Sequence, residues 1–340
     1  MNRKENLKGV KNINIQVKGS YPVVSAYEFE FLKELPEIHQ LWRDSTIYLI
    51  VQRPLMYFNN LRLDDAGVVN FEISDMRGNA PLTGTLDPYA SGLAKEGESY
   101  SFSFHLYKGK AKGKKSVDYA AGFSIETESS EHLVSITPQK VIHLSALNSP
   151  GYKISGNLND YIDYRVHYVG QAFSQDVWRR LTGHEKMQSI LTKEAVLDSV
   201  SNRNSFEISL ILLEIVGFSE ANIFPYQPWQ LSSSVTPILH ALGDDDNDES
   251  YMNFHKSMVE FSDQELTNEV EAMLINKFDP VYNKIKFKNY PNIKNGTRSK
   301  GYSESSLFIE CNPTTLETDK FKLSAIFRKD GRKDGTGTNL

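Results

Sequence analysis

The sequence predicts an α+β chain: a mostly antiparallel β module, a sandwich or barrel, over residues 1–136, then a mixed part of strands and helices over 137–330. Three observations predict it. Short runs rich in β-branched and aromatic residues, separated by turn residues, fill the first part. Helical periodicity sets in after about Thr137. One long helix, Ser262–Phe278, carries its own start and stop signals.

A helical stretch over Ala26–Arg43 is cut by Pro36, which cannot donate within a helix. Thr46–Val51, Val68–Ile73 and Tyr100–Leu106 read as strands, several alternating in period two, with turns at Asp65–Gly67 and Arg77–Pro81. Val141–Leu147 is a short apolar run that reads as a strand, broken by Asn148–Gly151, and Tyr164–Gly170 reads as a second. Gln175–Ile190 has a helical pattern. Phe206–Val216 reads as a strand because Ile and Val are frequent and Gly217 follows. An irregular insert, about 219–261, contains Pro225, Pro228 and Pro237 and the acidic stretch Asp244–Glu249. That stretch lacks the glycine and terminal-glutamate spacing of an EF-hand and reads as a solvated loop. Ser262–Phe278 opens on a capping box, Ser262 with Glu265, and stops at Asp279–Pro280. Residues 331–340 read as a flexible tail.

Composition narrows the class of function. At 340 residues the chain suggests about two domains, and 39% hydrophobic residues exclude disorder throughout. No run approaches the ~18 consecutive apolar residues of a membrane span. The basic N-terminus lacks an apolar segment behind it, so no secretory signal is expected. A single cysteine, Cys311, excludes an internal disulfide framework and fits a reducing cytoplasm. Net charge of -5 argues against a polybasic coat but leaves room for a local basic cleft. The segment carrying Lys108, Lys110, Lys112, Lys114 and Lys115 reads equally as a loop tracking phosphates or as a solvated hairpin tip.

Two helices carry polar groups that a plain surface reading does not absorb. At about 100° per residue, Leu266, Val270, Leu274, Ile275 and Phe278 form an apolar arc; Glu271 falls inside it, and Glu265 and Glu269 outside. A core-facing carboxylate must be paired, metal-bound or protonated. The plainer reading is a Glu at the arc's edge or one paired with a buried Arg. Arg180 and His184 stand at i and i+4 and share a face, where they can hold a phosphate by a guanidinium fork and a ring N–H. The plainer reading is a surface Arg and a boundary His.

Tyr168-Val169-Gly170, then Arg180 with His184, then Glu271 with Asn283 twelve residues beyond it after a proline, resemble in that order the GIY-YIG endonuclease family. The resemblance covers about residues 138–290 and is closest to the restriction-enzyme branch. It implies a small central antiparallel sheet flanked by helices. For the first motif, Val141-Ile142-His143 puts a histidine at the tyrosine position, and the competing alignment at Gly151-Tyr152 keeps a tyrosine without the isoleucine. Gln171 stands where the restriction branch often has a lysine and is expected to face nucleic acid.

The resemblance implies a DNA endonuclease using Mg²⁺ (or Mn²⁺), in a restriction or antiviral defence setting. Glu271 would be the sole protein ligand of the metal, with water and phosphate oxygens completing the shell. Arg180 would oppose charge in the transition state, and Tyr168 would orient or activate the attacking water. His143 could take that proton more readily than a tyrosine and shift the pH profile downwards. Asn283 would position Glu271. Cutting both strands with one site per chain suggests a homodimer. The alternatives are a nuclease-like binding or assembly protein that no longer cleaves, or a ligand-activated nuclease acting on RNA.

Overall fold

The computed structural model describes residues 8–32, 35–95, 97–107, 116–128, 132–173, 177–181, 185–200, 205–241, 252, 254, 260–311, 313–324 and 338–339. The α+β class holds: two large, mainly antiparallel sheets with helices packed on them.

The chain enters on β1 (Lys8–Gly19) and β2 (Val24–Ser25), runs through α1 (Ala26–Leu32) and α2 (Pro36–Trp42), and continues into β3 (Ser45–Pro54). Pro36 starts α2, where its missing N–H costs nothing. A second sheet follows: β4 (Met56–Leu63), β5 (Val69–Asp75), β6 (Leu82–Leu86), β7 (Tyr100–Leu106), β8 (Ala120–Thr127), β9 (His132–Ile136), then α3 (Pro138–Ala146) and β10 (Tyr152–Ser155). The chain then returns to the first sheet as β11 (Asp163–Gln171) and passes through α4 (Val177–Leu181) and α5 (Glu185–Val200). It proceeds to β12 (Phe206–Ile223), β13 (His240–Ala241), α6 (Asp263–Phe278), β14 (Tyr302–Glu310), β15 (Thr315–Glu317), β16 (Lys322–Leu323) and β17 (Thr338–Asn339).

The first sheet is ordered β16-β15-β11-β3-β12-β1-β14-β17, with β13 on β1 and β2 on β12; the second is ordered β10-β6-β5-β4-β8-β7, with β9 on β8. Most pairs are antiparallel, but β1 with β14 and β11 with β15 are parallel. The sheets do not divide the chain at residue 136. Strands β1 and β3 lie in the same sheet as β11 and β12, and β10 closes the second sheet beside β6. The second sheet is thus an insertion between β3 and β11, two strands that pair directly.

Alternation along β3 sorts its residues to two cores. Ile47, Leu49 and Val51 face the core covered by Leu266, Val270, Leu274 and Phe278 of α6. Tyr48 and Ile50 face the core shared with α1, α2, α4 and α5. A third core lies on the second sheet and includes Val141 and Ile142 of α3.

Four expectations change. Val141–Leu147 belongs to a helix, because Thr137 caps it by accepting from Lys140 N (3.3 Å) and Pro138 occupies its first turn. β12 extends beyond Val216 to Ile223, so the insert's first residues are strand paired with β1. Gln175–Ile190 contains two helices, α4 and α5. Thr338 and Asn339, within the expected tail, pair with Ile309 and Phe308. The capping box of α6 is present as expected, with Ser262 Oγ accepting from Glu265 N (3.3 Å) and Glu265 Oε2 from Ser262 N (3.0 Å). Among the described residues no helix is long and apolar enough to cross a membrane.

Candidate active site

The site assembles at the end of β11 farthest from β15, where three elements bring side chains together. β3 brings Tyr48 beside Tyr168: the register opposes Tyr48 to Gly170 and Ile50 to Tyr168, and the two tyrosine rings lie 6.1 Å apart. Strict alternation would have placed Tyr168 on the other face, with Tyr164 and Val166 under α6. A bulge between Val166 and Tyr168 inserts His167 and turns Tyr168 to the Tyr48 face. Gly170 gives the pair room. A Cβ there would meet the Tyr48 hydroxyl and the Tyr168 ring, each at 2.6 Å.

The two hydroxyls hydrogen-bond each other, an arrangement that eases loss of the Tyr168 proton and holds the Tyr48 proton. Burial raises both hydroxyls above the usual tyrosine range, and Glu271 raises Tyr168 further. Arg180 of α4 is exposed, lies within hydrogen-bonding reach of the Tyr48 hydroxyl and favours the ionised form of both tyrosines.

Glu271 comes from α6. Its carboxyl is half-buried and is pushed up to about 7, first by burial, while the Gln171 hydrogen bond and the Arg180 charge pull it down. Gln171 Nε2 donates to Glu271 Oε2 (2.8 Å) and to Asn268 Oδ1 (3.2 Å), and Gln264 Nε2 donates to Gln171 Oε1 (3.1 Å). Gln264, Asn268 and Glu271 therefore form one polar stripe on α6 facing Gln171. Both ends of the Gln171 amide are engaged with that helix, so it serves α6 rather than an open surface.

Asn283 works differently from its expected role. It is buried and grips the backbone of Val169, accepting from Val169 N (2.9 Å) and donating to Val169 O (2.8 Å). Its amide thus acts as one more strand residue along the edge of β11, holding the peptide between Tyr168 and Gly170. It makes no hydrogen bond to Glu271 among the described residues.

The structure does not bring His143 to this site. His143 lies on α3, which packs on the second sheet, and Tyr152 of the competing alignment lies on β10, paired with Leu86 in that same sheet. The tyrosine on the strand next to Tyr168 is Tyr48. Its sequence signal, Ile47-Tyr48 within a β-branched run, was legible, but it stands about 120 residues before Tyr168. His184 and Lys108, Lys110, Lys112, Lys114 and Lys115 lie outside the described residues, as does Asp244–Glu249.

Two further groups escaped the sequence. His167, the bulge residue, is buried with Nε2 2.6 Å from Gln52 Oε1, and burial lowers it to about 4. Glu269, which the helical wheel put outside the apolar arc, is 1% exposed and bound by Tyr290 and Thr297.

Among the described residues no three His, Cys, Asp or Glu side chains gather as a metal cluster, so a cation here would rest on one carboxylate. Glu271 suits that use. It is desolvated, accepts a single hydrogen bond, and has no cation within ion-pair distance among the described residues. A desolvated carboxylate with spare lone pairs gains from a divalent ion that keeps most of its own water.

No family model matches the chain, and no curated protein sequence or solved structure matches it either.

Proposed function

We propose that the chain is a Mg²⁺- or Mn²⁺-dependent endonuclease that hydrolyses phosphodiester bonds in DNA, with Tyr48, Tyr168, Arg180 and Glu271 as its catalytic residues. The observation that carries the reading is the convergence, from β3, β11, α4 and α6, of two hydrogen-bonded tyrosines, an exposed arginine and an under-bonded carboxylate. The order of these elements along β11 and α6 matches the GIY-YIG resemblance, with Tyr48 in the role expected of the first tyrosine.

Glu271 would hold the metal, which when bound supplies charge to the phosphate and to the leaving 3′ oxygen. Arg180, free to reach solvent, binds a non-bridging oxygen and opposes charge as it builds. Tyr168 takes the proton of the attacking water at its hydroxyl oxygen, and Tyr48 stabilises the resulting phenolate by donating to it. Asn283 keeps the Val169 peptide, and with it the Tyr168 backbone, in place. An alternative scaffold that binds without cutting would lean on a histidine in place of the first tyrosine; Tyr48 beside Tyr168 removes that support. Restriction or phage defence is the setting the resemblance suggests, by analogy alone.

The test is incubation of supercoiled plasmid, and of RNA in parallel, with Mg²⁺ or Mn²⁺. Nicked or linear plasmid from the parent, and none from Glu271→Gln, is the expected result. A folded parent that cuts neither substrate with either metal would overturn the proposal.

A further inference from the structure

A cavity of about 320 Å³ lies between α1 and the second sheet. That is the low end of the ~300–1,000 Å³ typical of small-molecule sites. Its walls are mainly apolar, including Leu32, Leu35, Phe123 and Ile136, and the rings of Tyr27 and Tyr107 stand 6.3 Å apart at its edge.

Two acceptors in this lining lack a donor. Glu28 of α1 is 6% exposed, yet its carboxyl receives no hydrogen bond from any described residue; only its backbone N–H is used, donating to Ser25 Oγ (3.0 Å). Gln139 of α3 is 5% exposed, and its Nε2 donates to Glu207 Oε1 (2.6 Å). Glu207 is ion-paired with Arg53 (2.7 Å), so it accepts, and the Gln139 group facing it must be the NH₂. That leaves Gln139 Oε1 buried and unpartnered.

Neighbouring cations do not fill the gap. Arg53 is engaged with Glu207 and the Tyr164 hydroxyl (2.9 Å), and Lys140 donates to Ser135 O (3.0 Å) without an ion pair to Glu28 among the described residues. On the opposite wall His105, Ser124, Ser135 and His132 satisfy one another in a chain of 2.8, 3.3 and 3.2 Å contacts. The cavity is therefore short of donors and of positive charge, not of acceptors. Leaving a buried carboxyl and a buried carbonyl oxygen unmatched costs free energy that a ligand can recover.

We propose that this cavity binds a small aromatic cation, a ring bearing an amidinium or protonated amino edge, whose donors meet Glu28 and Gln139 Oε1 and whose ring lies against Tyr27 and Tyr107. The proposal does not rest on the nuclease reading. Burial pushes the Glu28 carboxyl up to about 7, so near neutral pH it can yield its proton to such a cation. An anion or a neutral hydrocarbon lacks what the cavity is missing.

Calorimetric titration of the full chain with benzamidine tests this, with benzoate as the control. Saturable binding of benzamidine with Kd of about 1 mM or tighter is expected, a modest demand for so few atoms, with none of benzoate. Glu28→Gln should weaken it at least tenfold, the ~1.4 kcal/mol of one lost charged contact. Ala121→Phe, which fills the cavity from the second sheet, should abolish it. Glu271→Gln should bind as the parent does. No binding by the parent, equal binding of benzoate, undiminished binding by Glu28→Gln or Ala121→Phe, or loss in Glu271→Gln would each overturn the proposal. Trp42 emission reports folding of the variants, since that ring stacks on Phe29 beside Glu28 (5.7 Å).

Discussion

Glu269, on the side of α6 that faces the 287–300 segment, accepts hydrogen bonds from Tyr290 Oη (2.8 Å), Thr297 Oγ1 (2.9 Å) and Thr297 N (3.0 Å). Glu271, two residues on and at the open end of β11, is less buried but accepts one, from Gln171. The more deeply buried carboxylate is the more fully satisfied, and the shallower one is held near neutrality, at about 7. Depth of burial alone therefore does not mark a reactive group. What marks it is desolvation without matching donors, which leaves free energy for a cation or a substrate to supply.

The strongest way to break this comparison is to remove each carboxylate in turn. Glu271→Gln is expected to lower plasmid cleavage by about 10³-fold or more, the scale of losing a principal electrostatic group, without loss of the folded state. Tyr48→Phe and Tyr168→Phe should each cost about 10²–10⁴-fold in the same assay, whereas His143→Ala should cut at the parent's rate. A reversal between Tyr48 and His143 would return the proton-transfer role to the second sheet.

Glu269→Ala should act on stability instead. It leaves the Thr297 N–H, the Thr297 hydroxyl and the Tyr290 hydroxyl unmatched, and we expect a loss of about 3 kcal/mol in urea unfolding. Asn283→Ala strips both partners from the Val169 peptide, which predicts about 1–3 kcal/mol of destabilisation by the same reasoning. If it also lowers cleavage, the deficit should lie in kcat more than in KM, because the Tyr168 backbone loses its support rather than the substrate its contacts.

Glu271 gives the comparison a pH dependence of definite sign. Its folded-state pKa, about 7, lies above the ordinary carboxyl range, so between these values the folded protein keeps a proton that the unfolded chain has released. Stability should fall as pH rises from about 4.5 to about 7, and Glu271→Gln should remove that part of the fall, worth about 1–3 kcal/mol at pH 8. Melting curves of parent and variant across this range isolate the contribution, since Glu28, also raised to about 7, is common to both. Adding Mg²⁺ at pH 8 should raise the parent's melting temperature more than the variant's.

Much of this arrangement is written locally in the chain. The capping box at Ser262 and Glu265 needs four consecutive residues, so it is readable without a fold. Tyr168, Arg180 and Glu271 are legible for a similar reason: each lies in a short motif with characteristic neighbours. Val141–Leu147 was misread because seven apolar residues do not distinguish strand from helix, and the Thr137-Pro138 start signal just before them is what decides. The helical wheel failed at Glu269 because it assumes one buried face. α6 is enclosed on two sides, by the sheet beneath it and by the segment carrying Tyr290 and Thr297.

The sequence by itself determined the α+β class, the strand character of Thr46–Val51 and Tyr164–Gly170, and three of the four groups proposed for catalysis, because each depends on residues within a turn or two of one another. Only the tertiary structure decided that Tyr48 is the fourth. The second sheet intervenes between β3 and β11, so their pairing is a long-range contact that no local pattern encodes. Only the tertiary structure decided, too, that Tyr168 shares a face with Tyr48. A single inserted residue, His167, reverses the alternation that period two would otherwise impose, and a bulge exists only where two strands meet.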